Sequence, residues 1–101
     1  MTTYFFRLFV FGQTERSVAA QANLRMLCES LLPGRYRVEV VDVAEHPDVA
    51  DQERVLATPM VVRMAPLPRY RVIGDLSDHR RMATALGLPE EAPPTPLGDE
   101  A

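Results

Sequence analysis

The chain reads as an α/β domain with element order βαβαββα, a mixed four-stranded sheet with helices on both faces. Three observations predict it. Four stretches are rich in aromatic and β-branched residues, at 3–11, 36–43, 60–64 and 69–73. Three stretches with helical spacing or helix-entry residues fall between or after them, at 15–32, 47–56 and 78–86. The connections set the strand directions. A helix between the first two strands demands a parallel pair with a right-handed crossover, and a short link between the last two favours an antiparallel one.

Residues 3–11, TYFFRLFVF, are apolar at nearly every position, as in a central strand covered on both faces. Gly12 ends the run and Thr14 is a candidate N-cap. In the following helix Val18, Leu24, Leu27, Cys28 and Leu31 recur at three- and four-residue steps, with Arg16, Arg25 and Glu29 left for solvent. Pro33-Gly34 stops it. Residues 36–43 begin as an alternating strand, with Val38 and Val40 on one face and Arg37, Glu39 and Val41 on the other.

His46-Pro47 opens a short polar helix, PDVADQERVL, with proline in the tolerated first turn and acids early. Thr58-Pro59 leads into MVVRM, the link APLP follows, and RYRVI completes the sheet. Gly74-Asp75 makes a turn, Ser77 is the expected N-cap, and RRMATALGL has good helix formers. Gly87 and Pro89 form a helix stop. One domain over 1–88 is expected. Residues 89–101 are acidic and proline-rich with almost nothing to bury, and are expected to be a disordered tail.

The 101 residues suffice for one modest core. Apolar content of 47% and charged content of 25% fit a globular domain, and a net charge of −3 argues against nucleic acid as the main partner. All eleven cationic residues are arginine, which is read as a coding bias. The N-terminus lacks a basic segment and a small-residue cleavage site, and no apolar run approaches membrane-spanning length. A cytoplasmic protein without membrane contact is the expectation.

The layout matches a thioredoxin-like fold, yet the place where a redox enzyme of that fold needs a low-pKa cysteine reads Gly12-Gln13-Thr14-Glu15-Arg16-Ser17. The single cysteine, Cys28, falls on the apolar stripe and is expected to be a packing thiol. His46 and His79 lack metal-ligand spacing, and no nucleophile triad, phosphate loop or metal motif is present. No catalytic, metal or cofactor residue is therefore assigned. Pro59 falls just before the third strand, where this fold holds a cis proline, so a cis bond is expected.

The chain resembles the KaiB family over about residues 4–88. The resemblance is carried by LFVFGQTERSVAAQANL, VVDVAEHPDVADQERVLATP, the link APLP and VIGDLSD. Leu56–Pro59 and Ile73–Asp78 give most of its specificity. It implies a regulator without catalysis that binds the N-terminal ring of a KaiC-type ATPase, within a circadian or hourglass timing system. Further clock components or a sensor kinase are implied as additional partners.

The resemblance also implies a fold switch in the C-terminal half, with Pro59, Gly74, Asp75, Ala85, Gly87 and Pro89 at the switching positions. Members resting in the alternative fold tend to have glycine at position 85, aspartate at 87 and tyrosine at 90. Here Ala85 favours helix and Pro89 cannot donate to a ladder, so the thioredoxin-like arrangement should be the resting one. The same departures favour a monomer or dimer over a tetramer. Partner contacts are implied at Asp48, Asp51, Gln52, Arg54, Pro66 and Pro68, with Arg54 the foremost. The competing readings are a thioredoxin- or glutaredoxin-related oxidoreductase and a stand-alone sensor-like signalling module.

Overall fold

The computed structural model describes residues 2–89. Its elements are β1 (Tyr4–Val10), α1 (Glu15–Leu31), β2 (Tyr36–Asp42), α2 (Pro47–Gln52), β3 (Met60–Ala65), β4 (Arg71–Ile73) and α3 (His79–Ala85). The sheet order is β2-β1-β3-β4. β1 and β2 are parallel in the register Tyr4↔Tyr36 to Val10↔Asp42, while β1 and β3, and β3 and β4, are antiparallel. The expected βαβαββα order and mixed sheet are both present. The tail expectation, beyond Pro89, lies outside the described residues.

β1 is central because its alternation serves two cores. Phe6, Leu8 and Val10 face α1, α3 and Val61, and the cluster is completed by Leu24, Leu27, Met82 and Leu86. Phe9 faces the opposite side with Val41, Met60 and Val62, where Val49 and Val55 from α2 and its exit pack against them. Helices thus cover both faces, but unequally. α1 and α3 bury side chains deeply, whereas α2 contributes no fully buried residue. The register of β1 with β3 shifts between Phe5 and Phe6, a local bulge at the start of β1.

Thr14 caps α1 as expected, its hydroxyl accepting from the Ser17 N–H at 3.1 Å. Val18 does not join the apolar stripe; it is 51% exposed. The buried line is instead Ser17, Ala20, Leu24, Leu27 and Leu31, alternating three- and four-residue steps, and Val18 lies about 100° around the helix from it. Ser17 is tolerated on that line because its hydroxyl pairs with Thr14.

Three further expectations need correction. α2 stops at Gln52, because Glu53 turns inward and Arg54 takes a left-handed conformation at φ 56. β4 begins at Arg71 rather than Arg69. Asp78, not Ser77, caps α3, its carboxylate accepting from the Arg81 N–H. Ser77 is taken by the preceding turn, where its N–H donates to Asp75 Oδ1 at 3.1 Å. That turn is anchored to α1 by Asn23, whose Nδ2 donates to the Asp75 carbonyl at 2.9 Å.

Candidate functional site

The C-terminal ends of β1 and β3's entry meet the start of α1, where this fold would place redox chemistry. The Gly12 N–H donates to Asp42 Oδ1, and the same oxygen accepts from the Ala44 N–H, so β1 and β2 are closed by a carboxylate. Thr58-Pro59 is cis, as are Ala65-Pro66 and Leu67-Pro68. No cysteine stands at this end. Cys28 is fully buried far along α1, and burial pushes its thiol up to about 12. The described residues hold no group of three His, Cys, Asp or Glu side chains able to share a metal.

The thiol supplies an expected result. Its pKa is raised from the ordinary 9.0, so the native state retains the proton longer than the unfolded chain does. The contribution to stability is whole below pH 9.0 and is lost as pH rises towards about 12. At pH 8, Ellman's reagent should modify the native thiol ~100-fold more slowly than the urea-unfolded one. Equal rates would show an accessible thiolate.

What this end does carry is exposed apolar surface. Phe11 is 58% and Leu56 91% exposed, and both line a shallow groove with Val43, Pro47, Ala50 and Val55. Asp51 also borders it, which places one implied partner residue beside an apolar strip. Asp48, Asp51, Gln52 and Arg54 all stand exposed along α2 and its exit. Pro68 is exposed and Pro66 half-buried in the β3–β4 link.

Glu53 joins these two regions. Its side chain is 8% exposed, and both carboxylate oxygens are engaged: Arg69 Nη1 donates to Oε2 at 2.7 Å and Arg71 Nη2 to Oε1 at 3.4 Å. Arg71 Nη1 also donates to the Glu53 backbone carbonyl at 2.7 Å. On the opposite face Arg63, 5% exposed, donates to the Leu86 and Gly87 carbonyls at 3.1 and 3.3 Å and to the Pro68 carbonyl at 3.2 Å. Its guanidinium lies 4.6 Å from the Tyr70 ring centroid and 5.7 Å from that of Tyr4.

Neither Glu53 nor Arg63 stands out in the sequence. Glu53 reads there as one more acid on a polar helix. A signal was available in Arg69-Tyr70-Arg71: two arginines two residues apart share a strand face and call for a counter-charge.

The family model described as KaiB domain matches residues 7–88. The circadian clock oscillator protein KaiB of Synechococcus elongatus is 40% identical over 86 residues, covering 85% of this chain and 84% of that protein. The protein of the same name from Parasynechococcus marenigrum is 40% identical over 85% of this chain and 83% of its own length. Among solved structures, the N-terminal domain of SasA from Synechococcus elongatus superposes with a TM-score of 0.69 at 22% identity, covering 86% of each chain. Mitochondrial thioredoxin 3 of Saccharomyces cerevisiae gives 0.66 at 19% identity, over 86% of this chain and 79% of its own. At those identities the structural likeness establishes the thioredoxin-like fold alone.

Proposed function

The chain belongs to the KaiB family, and on that premise we propose that it is a non-catalytic regulator in a timing system. It docks on the ring of a KaiC-type ATPase and modulates that enzyme's phosphorylation or ATPase cycle. The reading rests on the family match across residues 7–88, which takes in β1 from Arg7 and the six later elements whole. The sequence at the α1 entrance supports it, since Gly12 to Ser17 offer no thiol for exchange chemistry. No described helix is long and apolar enough to cross a membrane, and the proposed setting is the cytoplasm.

In this reading α2, its exit and the proline link form the docking face, with Asp48, Asp51, Gln52, Arg54, Pro66 and Pro68 as contact residues. Arg54 is the strongest candidate. It is exposed, and its left-handed backbone lifts it out of the helix. An arginine there can fork onto a partner carboxylate. The protein acts as a monomer or dimer, and a fold switch in its second half regulates docking.

A pull-down with a KaiC-type ATPase, with and without nucleotide, tests the proposal. Retention that depends on nucleotide state is expected. Arg54→Glu should weaken binding about tenfold with thermal stability unchanged. Failure to bind in every nucleotide state, together with insulin reduction through Cys28, would overturn it.

A further inference from the structure

We propose that Glu53 is a positioning residue: its buried carboxylate locks α2 and Arg54 to Arg69, just after the proline link, and to Arg71, the first residue of β4, so that the helix and the link are presented as one surface. The inference rests on the docking role proposed above.

The argument starts from what α2 lacks. A six-residue helix is far too short to be stable alone. None of its residues is buried, and His46 offers no side-chain cap. Its apolar attachment is limited to the half-buried Val49, with Val55 following the exit. Directly after it, Arg54 adopts φ 56, a region that residues with a β-carbon enter only when neighbours hold them there. Backbone bonds do part of this: the Arg54 N–H donates to the Asp51 carbonyl and the Val55 N–H to the Ala50 carbonyl.

These bonds fix the local shape and leave the direction of the unit open. Direction comes from Glu53. A carboxylate this deeply buried persists only when its oxygens are matched, and here two guanidinium groups match them. Arg71 grips the same residue twice, once at the carboxylate and once at the backbone carbonyl that α2 leaves free. Arg71 is itself held in the sheet opposite Val62, and Arg69 directly follows Pro68. Both arginines keep over two fifths of their side-chain surface exposed, so the cluster lies at the rim of the proposed docking face.

The mechanism is preorganisation: a partner meets Arg54 and the prolines already in register and need not order them on binding. Glu53 itself touches no partner and acts through Arg69 and Arg71.

The test measures binding of the full chain to an immobilised KaiC-type ATPase ring by surface plasmon resonance, with urea unfolding in parallel. Wild type, Glu53→Gln, Arg69→Gln and the Glu53→Gln/Arg69→Gln double variant are compared, with Arg54→Glu as a direct-contact control. Glu53→Gln keeps the size of the side chain and removes its charge. It should weaken binding about tenfold. The double variant should be no more than about twofold weaker than the weaker single, because both remove the same clamp. A merely structural loss would follow the drop in stability and vanish once binding is referred to the folded fraction of each variant.

Should Glu53→Gln fail to fold, Arg69→Gln removes the exposed half of the same clamp and must weaken binding about as much. Glu53→Gln within about twofold of wild type, while Arg54→Glu is impaired, overturns the inference and leaves the docking role standing. Additive losses overturn it as well. A wild-type chain that ignores the ring removes the docking role and this inference together.

Discussion

Arg63→Ala is expected to destabilise the domain by about 3 kcal/mol, since the loss of this buried side chain leaves one buried and two partly buried carbonyls without their partner. Arg63 sits on β3 two residues from the fully buried Val61 and therefore faces the α1–α3 side. No carboxylate meets it among the described residues. Its charge is instead distributed over three backbone carbonyls and two aromatic rings.

Two of those carbonyls, at Leu86 and Gly87, lie at the end of α3, where helices leave oxygens unsatisfied and favour cations. The third, at Pro68, belongs to the proline link. Alanine would orphan all three and open a void under Tyr70. In urea the midpoint should fall with the slope unchanged, and the melting temperature by about 15 °C. Arg63→Lys should recover only part of the loss, since an ammonium cannot span carbonyls on two segments as a planar fork does. A loss of stability below about 0.5 kcal/mol would mean that α3 and the link are held by apolar packing alone.

The same residue shows where sequence reading succeeds and where it ends. In MVVRM an arginine looks like a solvent position on a half-buried strand. The alternation that buries Val61 also buries Arg63, but only the register with β1 reveals which face is covered by α3. β1 and α1 were legible because their patterns are long and self-consistent, from Phe6 to Val10 and from Leu24 to Leu31. α2 was legible in its start, where Pro47 and Asp48 are local signals. Its end was not, because DQERVL continues as good helix former and the stop goes with a distant segment, through the hold of Arg69 and Arg71 on Glu53. At α3 two adjacent cap-type residues competed, and the carboxylate of Asp75 decided between them by engaging the Ser77 N–H. Of the implied partner residues, the structure joins α2 to the proline link through a side chain that the sequence did not mark.

The double substitution Ala85→Gly/Gly87→Asp is expected to weaken α3 by about 2 kcal/mol relative to the rest of the fold. Ala85 closes α3 in an exposed position, so glycine there lowers helix preference without touching the core. Gly87 matters for a different reason. Its φ is +69, and a β-carbon added there would lie 2.8 Å from Tyr70 Cε2 and 3.2 Å from Arg63 Nη1. Any side chain must therefore hold a left-handed backbone and displace Tyr70 from the guanidinium it covers.

An aspartate recovers part of this cost by offering Arg63 a carboxylate, whereas Gly87→Ala cannot. The order of stability should then be wild type, Gly87→Asp, Gly87→Ala. The consequence for the proposed switch is directional. Both changes act on the segment that would have to leave its helix, while β1, α1 and β2 are untouched. Amide exchange of residues 79–86 should quicken about thirtyfold, the equivalent of 2 kcal/mol, with exchange in β1 unaltered. Uniform acceleration through the whole domain would show that α3 does not open separately, and a switch confined to the second half of the chain would lose its physical basis.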